Sequence, residues 1–199
     1  DLPNARHYHL PHRFDFAAPL PWPACPDARI AFVGRLDAFH KGLDLALCAL
    51  KELKNEGKRF RFTLYGEGPD REYLVRLVQY LGLENEVIFA GYAKSVREVW
   101  ERNELLFMPS RHEGCAVAMT EAIGFGRPVV ATAVGGAPEW IEDGVTGFSA
   151  EAPTVSLAAD ALRRAMSERS RWPEMGLAAH ATFKKTMPER PAKVFLEAL

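Results

Sequence analysis

Cysteine is scarce in this chain, and hydrophobic runs long enough to cross a membrane are missing. Cys25, Cys48 and Cys115 are the only three thiols in 199 residues. Their odd number and the lack of any CxxC spacing indicate neither a disulfide framework nor a zinc site. Cys48 stands among Leu45, Leu47 and Leu50 and reads as a small core residue. No apolar stretch approaches the roughly eighteen residues of a bilayer span, and no secretory h-region opens the sequence. A net charge of -1 gives no reason to expect a nucleic-acid partner. The expectation is a soluble, cytoplasmic segment with at most peripheral membrane contact. At 48% hydrophobic, it is long enough to bury one sizeable core.

Proline is unevenly spread. Pro3, Pro11, Pro19, Pro21, Pro23 and Pro26 put six of the fourteen prolines within residues 1–28, which is linker composition. A chain that opens on a linker rather than a strand is expected to be part of something longer, with residues 1–28 as an interdomain segment. His7, His9 and His12 lie on this stretch without partner acids at helical spacing, and read as solvated loop histidines rather than a metal cluster.

From Arg29 onward, strand and helix patterns alternate. Arg29 to Val33 is followed by a helix from about Lys41 to Asn55 with Leu43, Ala46, Leu47, Leu50 and Leu53 on one face, stopped by Gly57. Phe60 to Tyr65 forms the second strand, and Leu74, Leu77, Val78 and Leu81 mark a helix ended by Gly82. Val87 to Ala90 is a third strand, and Ser95 with Glu98 predicts a capping box for a short helix through Trp100. Leu105 to Met108, Val129 to Thr132 and Phe148 to Ala150 complete six strands. Thr154 caps a helix with Leu157, Ala161, Leu162 and Ala165 inward; Pro173 opens another with Met175, Ala179 and Phe183 facing in. Short apolar strands between amphipathic helices predict an α/β, doubly wound parallel sheet of Rossmann-like type over residues 29–185, with 186–199 as a C-terminal tail or helix.

Chemistry concentrates at the predicted carboxyl ends of the strands. Gly34, Gly66, Gly91, Gly114 and Gly135 each stand just past one, the edge where open parallel sheets bind ligands. With strand order 3-2-1-4-5-6, the reversal falls between strands one and four. The loops carrying Arg35 and Lys41, and Ser110 to Glu113, then face one crevice. Across the strand-to-helix turn after Met108, Glu113 and Glu121 stand eight positions apart. A carboxylate accepts paired hydrogen bonds from vicinal hydroxyls, and a helix start offers free N–H groups to an anion. The pattern suits a sugar and a phosphate.

These residues carry a resemblance. Gly34-Arg35-Leu36, Lys41-Gly42, Gly66-Glu67-Gly68-Pro69, Glu113-Gly114 with Glu121, and Gly126-Arg127-Pro128-Val129-Val130-Ala131 through Gly135-Gly136, with Glu139, resemble the donor-binding half of family four retaining glycosyltransferases. The similarity runs from about Ile30 to Glu168 and implies one half of a GT-B architecture. It implies that Arg35 and Lys41 contact the diphosphate of a nucleoside diphosphate sugar in place of a metal, so no metal or other cofactor is expected. Glu113 would approach the donor sugar and Glu121 the ribose hydroxyls. Backbone N–H groups of Gly114, Cys115, Ala116 and Val117 would face sugar or phosphate. Gly34 and Gly66 would line the donor site, with Tyr92 and Ala93 beside the nucleobase. Cys115 departs from the bulky apolar residue common at its position in the family. The implied activity is sugar transfer with retention to a glycan, lipid or small molecule. The acceptor would be held by an N-terminal domain of the full-length protein, leaving this chain able to bind nucleotide but a poor catalyst alone.

Other classes fit less well. A dinucleotide-dependent dehydrogenase wants GxGxxG after the first strand, where this chain has Gly34-Arg35-Leu36-Asp37-Ala38-Phe39. A nucleotide-sugar epimerase, a glycan phosphorylase or a non-catalytic nucleotide-sugar-binding module are the remaining alternatives; a phosphorylase would need a lysine-held pyridoxal phosphate.

Overall fold

A computed structural model describes residues 18–114 and 116–186. Cys115, the three histidines near the start and residues 187–199 lie outside the described residues, and with them the readings made for those positions. Six strands, β1 (Ala28–Val33), β2 (Phe60–Tyr65), β3 (Val87–Gly91), β4 (Leu105–Met108), β5 (Val129–Thr132) and β6 (Gly147–Ala150), form one parallel sheet. Its order is β3-β2-β1-β4-β5-β6, so the reversal falls between β1 and β4, as expected. Six helices, α1 (Leu43–Asn55), α2 (Arg71–Leu81), α3 (Val96–Arg102), α4 (Val117–Gly124), α5 (Val155–Ser167) and α6 (Trp172–Thr186), flank the sheet. A single 3-10 turn, Ala137–Glu139, stands in the long loop between β5 and β6.

Burial follows sheet position. All four residues of β4 and of β5 are buried, since these central strands are covered on both faces. At the edge, β3 alternates and leaves Ile88 exposed. The apolar stripe of α1 faces inward as predicted, with Leu45 and Ala49 buried as well. Cys48 is a correction. It is half-buried rather than in the core, between Asp44 and Glu52 on the flank of the stripe, and burial with those two carboxylates raises its thiol pKa. Leu74 and Val78 of α2 are buried, and Leu77 and Leu81 pack on the core's margin. Each fully buried large apolar side chain contributes on the order of 1.5–3 kcal/mol, so these stripes hold the helices to the sheet.

The helix ends differ from expectation in two places. Helix α1 begins at Leu43, because Gly42 takes a left-handed conformation (φ 63°) as its N-cap. In α3, Ser95 Oγ accepts from the Glu98 N–H at 3.1 Å, but the Glu98 carboxylate turns to Arg102 at 2.8 Å, leaving the predicted capping box half formed. Thr154 caps α5 by accepting from the Leu157 N–H at 3.3 Å. Pro173 is the second residue of α6, where its missing N–H costs nothing.

The described part of the proline-rich segment, residues 18–27, has no helix or strand, yet it is tied down. Arg127 is fully buried, and its guanidinium donates to the carbonyls of Trp100, Asn103, Leu20 and Pro21. Trp22 stacks 4.7 Å from it. Burial lowers the Arg127 pKa to about 10, and four carbonyl dipoles substitute for a carboxylate partner. Farther along, Arg169 donates to the carbonyls of Cys25, Pro26 and Asp27 and pairs with Glu104 at 2.9 Å. The Gly126-Arg127-Pro128 motif therefore serves the fold.

Candidate functional site

The sheet's carboxyl edge carries two neighbouring cavities, and the expected site residues divide between them. The larger, about 800 Å³, is lined by Gly34 and Arg35 after β1, Gly66 to Pro69 after β2, Tyr92 to Ser95 after β3, and Glu121 from α4. Its floor is backbone. The Gly34 N–H donates to the Tyr65 carbonyl at 2.9 Å, Gly66 to Gly91 at 2.8 Å and Leu36 to Glu67 at 3.0 Å, extending the sheet into the loops. Asp70 accepts from the Ala38 N–H at 2.7 Å, tying the loop after β2 to the loop after β1. Arg35 is exposed in this cavity, and Tyr92 stands 79% exposed at its rim, free to stack on a ligand. A side pocket of about 190 Å³ shares Tyr65, Tyr92, Ala93 and Lys94 and adds Glu98 and Arg102.

Glu121 is the unusual member. It is the fifth residue of α4, one turn past the helix start, so the ordinary explanation of an acid in the first turn does not apply. It is 7% exposed, and its carboxylate has no hydrogen-bond partner among the described residues. Burial raises its pKa from 4.5 to about 7. The residue is enclosed while its carboxylate opens on the cavity, where a ligand's donors can reach it.

The second cavity, about 420 Å³, is lined by Lys41, Arg111, His112, Glu113, Gly114, Val134 and Gly135. Here the acid is satisfied. Lys41 Nζ and Ser110 Oγ each donate to Glu113 Oε1 at 2.8 Å. Gly42 makes the lysine's approach possible, since a Cβ there would stand 1.9 Å from the Pro109 carbonyl oxygen. Gly135 does the same on the other side, where a Cβ would meet the Glu113 carbonyl oxygen at 2.1 Å. The loop after β4 is further tied to α1 by Arg111, bidentate to Asp44 at 2.7 and 2.8 Å, and to the loop after β1 by the Arg111 and His112 N–H groups donating to the His40 carbonyl.

Arg35 and Lys41, read together from sequence as diphosphate contacts, thus line different cavities, and Lys41 holds Glu113. Tyr92, Ala93, Gly34, Gly66 and Glu121 gather with Arg35; Gly114 joins Glu113. Ala116 and Val117 form the start of α4 between the two acids. Sequence reading placed Ser110, Arg111 and His112 in a loop facing the crevice but gave them no role, and it passed over Lys94, which the strand-end rule would have reached in the loop after β3.

Comparison with known proteins gives the family and the fold. Residues 27–168 match the family described as glycosyl transferases group 1. The chain is 31% identical over 141 residues to alpha-D-kanosaminyltransferase of Streptomyces kanamyceticus, covering 70% of this chain and 36% of that protein. It is 32% identical over 160 residues to D-inositol 3-phosphate glycosyltransferase of Corynebacterium aurimucosum, covering 75% and 37%. Among solved structures, Anabaena HepE in complex with UDP superposes with a TM-score of 0.76 at 23% identity, over 87% of this chain and 49% of HepE. S. aureus TarM, in a structure with UDP, gives 0.78 at 24% identity over 92% and 38%. The chain spans less than half the length of each of these four proteins. Among the described residues, no helix is long and apolar enough to cross a membrane. The matched residues contain the whole sheet and both cavities, and the chain belongs to the glycosyl transferases group 1 family.

Proposed function

We propose that this chain is the donor-binding part of a glycosyltransferase, holding a nucleoside diphosphate sugar along the carboxyl edge of its sheet. The observation that carries the reading is Glu121, buried and unpartnered in a cavity that also holds Arg35. Two vicinal ribose hydroxyls are a donor pair that the two oxygens of a carboxylate can accept. Arg35 takes the diphosphate. Lys41 reaches it as well, because an ammonium has three donors and Glu113 uses only part of that capacity. Tyr92 stacks on the base, and Glu113 accepts from the sugar in the second cavity. HepE and TarM, which share this fold, are known in complex with UDP, which supports the nucleotide assignment.

Transfer proceeds with retention as the bond between anomeric carbon and phosphate oxygen breaks and negative charge gathers on the departing nucleotide. Arg35 and Lys41, fixed at the edge, stabilise that charge without a metal, a kind of contribution worth about 10²–10³ in rate. The acceptor is a glycan, lipid or small molecule bound largely by another domain. The isolated chain therefore binds nucleotide but transfers sugar poorly. Titration with UDP-, GDP- and ADP-sugars, followed through the ligand NMR signals, tests the binding; if none of the three binds, the donor assignment fails. Robust transfer by the purified chain would refute the need for a second domain.

A further inference from the structure

Ser110 is fully buried, lines neither cavity, and directs its hydroxyl to a single acceptor, Glu113 Oε1, at 2.8 Å. Lys41 Nζ reaches the same oxygen at the same distance. Oε2 of Glu113 has no partner among the described residues. Two donors on one oxygen leave the other as the atom that accepts from a ligand. The two donors are unequal in stiffness. Lys41 is a long, partly exposed side chain with several rotatable bonds, whereas Ser110 has one and sits in a fixed place. That place is set from two sides. Thr132, the last residue of β5, donates its hydroxyl to the Ser110 carbonyl, and the Gly42 backbone closes on the Pro109 carbonyl.

We infer that Ser110 is a positioning residue for Glu113: its hydroxyl, backed by Thr132, fixes Oε1 so that Oε2 is held ready for a sugar hydroxyl. This rests on the proposal that Glu113 accepts from the donor sugar. The consequence is selective. Losing the hydroxyl weakens the contribution of the sugar and leaves that of the nucleotide, which is bound in the other cavity.

Calorimetry of UDP, UDP-glucose and UDP-N-acetylglucosamine against the full chain tests this. Ser110→Ala is expected to lower affinity for the better-bound UDP-sugar by about three- to tenfold, part of what one hydrogen bond to a carboxylate contributes. Affinity for UDP should stay unchanged, and Ser110→Thr should recover most of the loss. Thr132→Val should give a smaller loss of the same selective kind. An unchanged sugar increment in Ser110→Ala overturns the inference, and so does an equal loss for UDP and UDP-sugar, which would make Ser110 a packing residue of the loop. A wild-type chain that binds UDP and both UDP-sugars equally well removes the sugar from Glu113, and takes the underlying assignment down with the inference.

Discussion

Glu113 and Glu121 stand eight residues apart on either side of one helix start, yet the fold gives them opposite surroundings. Glu113 has a cation and a hydroxyl on one oxygen, supplied by loops that glycines bring into contact. Glu121, within α4, is more deeply enclosed and has no hydrogen-bond partner among the described residues. The difference separates two ways to prepare an acid for a ligand. One is paired and aimed in advance, with its partners contributed by the protein. The other is held short of partners, so that the ligand's own hydroxyls complete it.

The sharpest way to break this contrast is through pH. Glu121 has a folded pKa of about 7 against an ordinary 4.5, raised by burial, so the native state binds a proton more tightly than the unfolded chain in that interval. The stability it contributes is fully present below pH 4.5 and is lost as pH rises through 7, a decline on the order of 3 kcal/mol. Glu121→Gln should flatten that decline. Urea unfolding between about pH 5 and 8 measures it, and a wild-type profile as flat as the variant's would mean that Glu121 is solvated.

Next in size is binding. Glu121→Ala should weaken UDP and UDP-sugars alike by about 1.5–3 kcal/mol, the scale of hydrogen bonds to a charged partner. Affinity of the wild type should rise with pH as the carboxylate forms. Calorimetry that finds no loss would return Glu121 to a structural role. Lys41→Met sharpens the comparison further, because Lys41 is proposed to serve both cavities. It should reduce UDP affinity by about 1 kcal/mol and the sugar increment as well; an effect on the sugar alone would confine Lys41 to holding Glu113. The smallest effect is expected for Asp44→Asn, which weakens the bidentate clamp of Arg111 at a partly exposed site. A stability loss of about 0.5–1 kcal/mol, read from thermal unfolding, is the anticipated size.

Much of this was legible beforehand for a physical reason. Helix and strand periodicity, the strand-end glycines and the capping threonine are local signals, and they located six strands and, with the common doubly wound order assumed, the edge that carries the cavities. What was missed was also local in cause. The pairing of Lys41 with Glu113 was not foreseen, because the partner lies 72 residues away, across a close approach visible only in three dimensions. Arg127 stood within the resembling segment without an assigned role, and it is a buried anchor for residues 20–22 whose acceptors are backbone carbonyls, which every residue has. Cys48 was misplaced by its apolar neighbours, since one position along a helix is a rotation of about 100°.

By itself, the sequence determined the α/β class, the extent of the sheet and which loops carry acids and cations, because periodicity and turn chemistry act over a few residues. Tertiary structure alone decided that the loops form two cavities, that Glu113 is paired and Glu121 is not, and that Ser110 stands behind Glu113. Burial and ion pairing are properties of space rather than of order along the chain. Two carboxylates with the same sequence credentials acquire different chemistry only when the fold encloses one and brings an ammonium to the other.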